Sequence, residues 1–266
     1  VQKEVNGVYN HELRLNRKYM YAAVSFCMER FTNILSNEIL CVSKGIRDYY
    51  VSARNSAKFF VVSNGVSAKY LSYSRENREE FAKLKIVFVG TLAPWQGILE
   101  FLDFISGKRI FEEKVELYIV GDGRLFCEIK ERLERTTLNY TMTGHMLPKS
   151  LPDFLGTMDL AVIPRDPSLD IKGSPLKLFV YAALGLPIIS TQVDGVLTES
   201  ELAEECFFFD YDSWNSLETV LQGIFKGTVD LSEVSSRMRK LIEDNYTWNH
   251  VYERQFYVNI GKNEPR

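Results

Sequence analysis

The chain has 266 residues, 45% hydrophobic and 25% charged, with a formal net charge of −3 and a pI near 5.8. This is the mix of a soluble globular core, and it excludes a disordered, collagen-like or disulfide-scaffold protein. No global basic field is present to attract nucleic acid, whereas a few local cations and helix ends suffice to hold a small anion. Cys27, Cys41, Cys127 and Cys206 form no C-x-x-C pair, and His11, His145 and His250 are as scattered. Zinc-ligand spacing is therefore missing and no metal is expected. Free thiols fit a reducing cytoplasm. The longest apolar run, Leu178 to Ile189, is broken by Gly185 and Pro187 and falls short of the roughly 20 residues that span a bilayer. A start at Val1 rather than Met leads us to expect that the beginning of a longer protein is missing.

In chain order, Asn10 to about Ser36 lacks Gly and Pro and predicts one long helix with mixed faces. Glu38 to Val42 is a short apolar run ending at Ser43, whose hydroxyl suits the N-cap of a helix over Lys44 to Tyr50. Lys58 to Val62 is β-rich and closes on the turn pair Asn64-Gly65, and Ser63 to Arg78 is expected to be a linker. From Lys85 a rhythm begins. Apolar runs at Ile86 to Val89, Val115 to Val120, Tyr140 to Thr143, Leu160 to Ile163, Leu186 to Ser190 and Cys206 to Phe209 alternate with helical stretches. The helical stretches are Gly97 to Ser106, Leu125 to Arg135, Ser150 to Thr157, Pro175 to Leu184 and Ser213 to Lys226. Strands apolar on both faces and alternating with helices predict an α/β domain with a doubly wound parallel sheet. Leu231 to Asn245 and Trp248 to Ile260 read as two closing helices.

Ligands of such sheets sit outside the carboxyl ends of the strands, so the strand-to-helix loops are the places to look. Gly121-Asp122-Gly123-Arg124-Leu125-Phe126 begins like a dinucleotide fingerprint but has Phe126 at the third glycine. It also leaves the second strand of its domain, so a tight structural turn is the plainer reading. The run Gly173 to Pro187 is the strongest signal. Ser174 suits an N-cap, Pro175 suits the first helical position, and Gly185 and Pro187 stop the helix. A helix starting at a strand exit aims free N–H groups and its positive end at the crevice, which suits a phosphate. Lys177 in the first turn either adds a point charge there or lies in solvent.

The run Gly173 to Pro187 resembles the "SPLKLFEYMAAGKPVI" variant of the donor-site helix in family 4 retaining glycosyltransferases of the GT-B fold. Val61 to Val66 resembles "viPNGv", Phe88 to Gly97 resembles "yvGtlapwKG", and Tyr118 to Gly123 resembles "l.ivGdG". Thr143 to Pro148 resembles "ftG.v...", and Trp248 to Tyr257 resembles the closing "W..v...y" helix. The ordered set covers about Ile39 to Tyr257.

The resemblance implies residues 1–57 as the tail of a truncated N-terminal acceptor domain and 58–245 as a Rossmann-like nucleotide-sugar domain. Residues 246–266 become a C-terminal helix returning to the N-terminal segment and packing on Asn10 to Ser36. It implies donor contacts from Gly90, Thr91, Gln96, Gly97, Gly121, Gly123, Arg165, Lys172, Gly173, Ser174, Pro175, Leu176 and Lys177. His145 and Met146 fall where the base or sugar is approached, and Asp170 lies in the same loop as Lys172. The sequence also departs from the pattern. The two carboxylates of E-x7-E fall on Lys172 and Val180, and the usual lysine before Gly97 is Gln96. A valine cannot accept the hydrogen bonds of a ribose. The implied activity is sugar transfer, with retention, from a nucleotide-diphosphate sugar to a glycan, lipid or small-molecule acceptor. No metal and no nucleic acid take part. The implied setting is the cytoplasm, with peripheral association at the inner face of the membrane compatible with it. The departures support an alternative, a degenerate GT-B module that binds nucleotide or a protein partner without catalysis.

Overall fold

The described residues build two parallel sheets. The computed structural model describes residues 2–9, 13–14, 17–51, 59–73, 75, 82–169, 172–198 and 200–260, with side chains at 2, 200 and 255–260 outside that set. The first lobe has strands β1 (Gln2–Val5), β2 (Glu38–Cys41) and β3 (Phe59–Val61) in the order β1-β2-β3. Helix α1 (Tyr19–Leu35) connects β1 to β2, and α2 (Lys44–Val51) follows β2. The second lobe has β4 (Leu84–Val89), β5 (Val115–Val120), β6 (Asn139–Gly144), β7 (Leu160–Ile163), β8 (Ile188–Thr191) and β9 (Phe207–Phe209). Their order is β6-β5-β4-β7-β8-β9, every pair parallel. The order reverses between β4 and β7, and that is where a doubly wound sheet opens a crevice.

The apolar pattern of β4 explains its central place. Ile86 and Phe88 point into one core with Ile98, Phe101 and Phe111, while Val87 points into another with Leu178, Phe179 and Tyr181. Burying both faces is what a central parallel strand requires, and each large side chain so buried contributes about 1.5–3 kcal/mol. Helix α3 (Ile98–Ser106) covers the first face and α7 (Leu176–Ala183) the second. The short helices between them are α4 (Arg109–Lys114), α5 (Phe126–Leu133) and α6 (Leu151–Gly156).

Several sequence expectations need correction. Asn10 to Ser36 is not one helix. At Arg17 the backbone turns left-handed (φ 59), with Lys18 N–H bonded to Leu13 C=O and Arg17 N–H to Arg14 C=O. This pair of bonds is a Schellman closure, here without the glycine that would have marked it. Strand β1 and the short helix α8 (Asp194–Leu197) went unread. The linker from Ser63 holds a 3-10 turn (Ala68–Ser72) and a bridge from Val66 to Thr247, while 74 and 76–78 lie outside the described residues. Ser174 does not cap α7. Pro175 takes the N-cap position with ψ 112, so the helix starts one residue later than expected and the Ser174 hydroxyl is left one step too far out.

Helices α9 (Ser200–Glu204), α10 (Asn215–Phe225) and α11 (Leu231–Leu241) and a π turn (Ile242–Tyr246) precede the closing helix α12 (Trp248–Ile260). Trp248 N–H bonds Val66 C=O, and a side chain at Gly65 would meet the Trp248 ring. The expected contact with Asn10 to Ser36 involves in part the side chains from 255 on, which lie outside the described set.

Candidate functional site

Three strand exits meet through glycines. At Gly121 (φ 138) an added Cβ would fall on the carbonyl of Gly90, and at Gly123 (φ 156) on the backbone of Leu92. Backbone bonds knit the same loops together: Gly90 N–H to Val120 C=O, Leu92 N–H to Asp122 C=O, and Leu125 N–H to Leu92 C=O. Gly121 to Phe126 is thus a structural turn that carries the Gly90 loop, and Asp122 uses its carboxylate on the N–H of Gly123 at 2.7 Å. Gly97 (φ 67) lies against the carbonyl of Pro164, bringing the β4 and β7 exits together. Beside Gly97, burial and then Glu100 push the Tyr211 hydroxyl upward in pKa.

Across this crevice runs Lys177. Its Nζ donates to Gln96 Oε1 at 3.1 Å, sits 4.3 Å above the centre of the buried Phe88 ring, and passes within 2.9 Å of where a Gly90 Cβ would be. The residue is half-buried with its amine turned inward. Burial first, and the neighbouring charge of Arg165 second, lower its pKa to about 7. Arg165 is itself buried, its carbonyl accepting from Thr191 Oγ1 at 2.6 Å. The crevice therefore holds two basic side chains, which suits an anion such as a phosphate.

The start of α7 lies where the two lobes meet. A Cβ on Gly173 (φ 146) would stand 3.3 Å from the carbonyl of Asn6 in the loop after β1. Asn64 Nδ2 donates to Ser174 C=O at 3.3 Å, and Gly195 packs its Cα face on Gly173 and Ser174. The buried Ser174 Oγ has no hydrogen-bond partner among the described residues. Deeper in α7, Tyr181 OH accepts the N–H of Val89 at 3.0 Å and so fixes the last residue before Gly90.

Against known families, residues 83–220, just over half of the chain, match the model described as glycosyl transferases group 1. The chain belongs to the group 1 glycosyl transferases. Among solved structures it is similar to Anabaena HepE in complex with UDP, with TM-score 0.75 and 12% identity over 98% of this chain and 72% of that one. It is also similar to an S. aureus TarM mutant in complex with fondaparinux, alpha-GlcNAc-glycerol and UDP, with TM-score 0.67 and 16% identity over 83% of this chain and 43% of that one. A third is sucrose-phosphate synthase from Thermosynechococcus elongatus, with TM-score 0.68 and 15% identity over 85% of this chain and 59% of that one. The chain spans less than half the length of the TarM structures it matches. At these identities the likeness carries the GT-B fold alone. No curated protein matches the chain.

Within this fold the remaining expected residues divide. Gln96, Gly90, Gly97, Arg165 and Lys177 gather at the switch point, with Gly173, Ser174, Pro175 and Leu176 at the start of α7. Lys172 and Val180 are half-buried, the latter packed on the second core, and Thr91 is exposed. His145 is exposed at the β6 exit, whereas Met146 packs on the core beneath. Asp170 lies outside the described residues. Phe88, Tyr181 and Asp194 were missed by sequence reasoning, because each looks like an ordinary core or turn residue in its local run. Cys41 and Cys206 are buried, which pushes each thiol up to about 12 and makes both inert packing groups. Among the described residues no helix is long and apolar enough to cross a membrane.

Proposed function

We propose that the second lobe binds a nucleotide-diphosphate sugar and is the donor half of a retaining, family 4 type glycosyltransferase. The observation that carries this reading is Lys177 reaching across the switch point to Gln96 beside Arg165, with the amine in the room that a side chain at Gly90 would take. Lys177, Arg165 and the first N–H groups of α7 neutralise the diphosphate as the sugar leaves, so that charge developing in the transition state meets fixed donors. HepE and TarM structures complexed with UDP support a uridine nucleotide as the donor. His145 and Met146 approach the base or sugar. Residues 1–57 belong to the acceptor lobe, whose acceptor is a glycan, lipid or small molecule, and 246–266 turn back towards that lobe.

Calorimetry with UDP and GDP tests the reading. The chain is expected to bind a nucleoside diphosphate. Lys177→Ala should weaken binding about tenfold or more, the effect of losing a hydrogen bond to a charged group. Equal affinity in the variant would remove Lys177 from the site, and no binding by either nucleotide would overturn the donor assignment. Anomeric analysis of the product of sugar transfer tests retention.

A further inference from the structure

The surroundings of Lys177 Nζ are unusual for an ammonium. From the β4 exit it faces the Phe88 ring, the bare backbone of Gly90 and the amide oxygen of Gln96, none of them charged. From the β7 exit it faces Arg165, a like charge. On its own helix the next inward polar group is the Tyr181 hydroxyl, occupied by Val89 N–H. Among the described residues no carboxylate contributes to its ionisation. A buried cation is costly unless paired, and an amine in such a place holds its proton weakly until an anion arrives.

We propose that binding of a nucleoside diphosphate in this crevice takes up one proton from solvent, and that the proton goes to Lys177 Nζ. The inference rests on the donor-site reading above and adds the ionic form of the site to it. In the empty crevice the amine shares its proton with solvent near neutral pH, in keeping with the lowering of its pKa to about 7. The diphosphate supplies the missing counter-charge, so the complex holds the ammonium well into the alkaline range. The balance is one amine plus one solvent proton giving one ammonium, with no bond to the ligand made or broken. Because the ligand selects the protonated form, affinity falls as pH rises above about 7, by at most tenfold per pH unit, and levels off below it.

The test is calorimetry of UDP, GDP and ADP at pH 8.5 in two buffers of different ionisation enthalpy, with the whole chain and with Lys177→Arg and Lys177→Met. The natural chain should take up about one proton per bound nucleotide. Lys177→Arg, whose guanidinium stays charged at all accessible pH, should bind with no uptake. Lys177→Met should bind at least tenfold more weakly, also with no uptake, and it covers the case in which arginine does not fit. Binding by the natural chain without uptake overturns the inference and leaves the donor reading standing. Uptake that persists in both variants assigns the proton elsewhere and overturns it as well. If none of the nucleotides binds at any pH between 6 and 9, the donor reading falls and the inference falls with it.

Discussion

Gly97 has no room for a side chain. Its φ of 67 belongs to the left-handed region, and a Cβ there would overlap the carbonyl of Pro164, which is backbone and cannot move aside. Gly227 has nearly the same φ, 70, but nothing within 4 Å of the added carbon. The pair separates conformational strain from contact. Gly227→Ala should cost about 1 kcal/mol, the strain alone. Gly97→Ala should cost about 2 kcal/mol more and appear as a lower urea midpoint with an unchanged slope. Equal losses at the two sites would mean that the β4 and β7 exits are not held in contact. In the sequence both positions fall at a helix boundary, Gly97 at the start of one stretch and Gly227 just past the end of another. The atom each glycine faces was not legible there, because Pro164 lies 67 residues from Gly97 and no local pattern links them.

Helix α7 shows how an element carries two tasks. Leu178, Phe179, Ala182 and Ala183 anchor it in the second core, which leaves its first turn fixed over the crevice. Tyr181 adds a bond to the end of β4, so the helix and the Gly90 lip move as one unit. Tyr181→Phe leaves the half-buried Val89 N–H without that partner and should cost about 1 kcal/mol. The same variant should weaken UDP binding, since the lip that Lys177 crosses is no longer held. Unchanged stability in thermal melts would show that water replaces the hydroxyl. The helix was legible in the sequence to within a residue at each end, as Pro175, Gly185 and Pro187 are local stop and start signals. Its cap was not. Pro175 is itself extended, with ψ 112, so it takes the cap position and leaves Ser174 one residue further out, where its hydroxyl does not cap the first N–H groups.

At the scale of the whole molecule the two lobes share a helix end. The free N–H groups at the start of α2 are met by Ser43 Oγ on Ile46 N–H at 3.2 Å, by Asp194 Oδ1 on Gly45 N–H at 2.9 Å, and by Thr198 Oγ1 on Lys44 N–H at 3.2 Å. Two of the three come from the other lobe. A carboxylate at a helix start also gains from the helix dipole. The first lobe has a small buried cluster of Val5, Val8, Ile39, Cys41, Val42, Ile46 and Phe59, too little to be stable alone, so this clasp matters to it. Asp194→Ala should therefore loosen the first lobe selectively. Amide exchange at 44–46 should accelerate about fivefold, for about 1 kcal/mol of lost capping, while 84–89 and 115–120 stay protected. Uniform acceleration across both sheets would instead mean that the lobes open as one unit.

The sequence by itself determined the parallel second sheet, because strands buried on both faces read as continuous apolar runs and the helices between them carry their own start and stop residues. It determined as well that Ser43 would cap the helix after β2, a contact three residues long. Only the tertiary structure decided that Lys177 crosses to Gln96, 81 residues away, and that Asp194 closes on Gly45 across 149 residues. The physical reason is range. Periodicity and turn chemistry act within a few residues, whereas the reach of a long side chain and the partner of a helix end are set by which loops the finished sheets bring together.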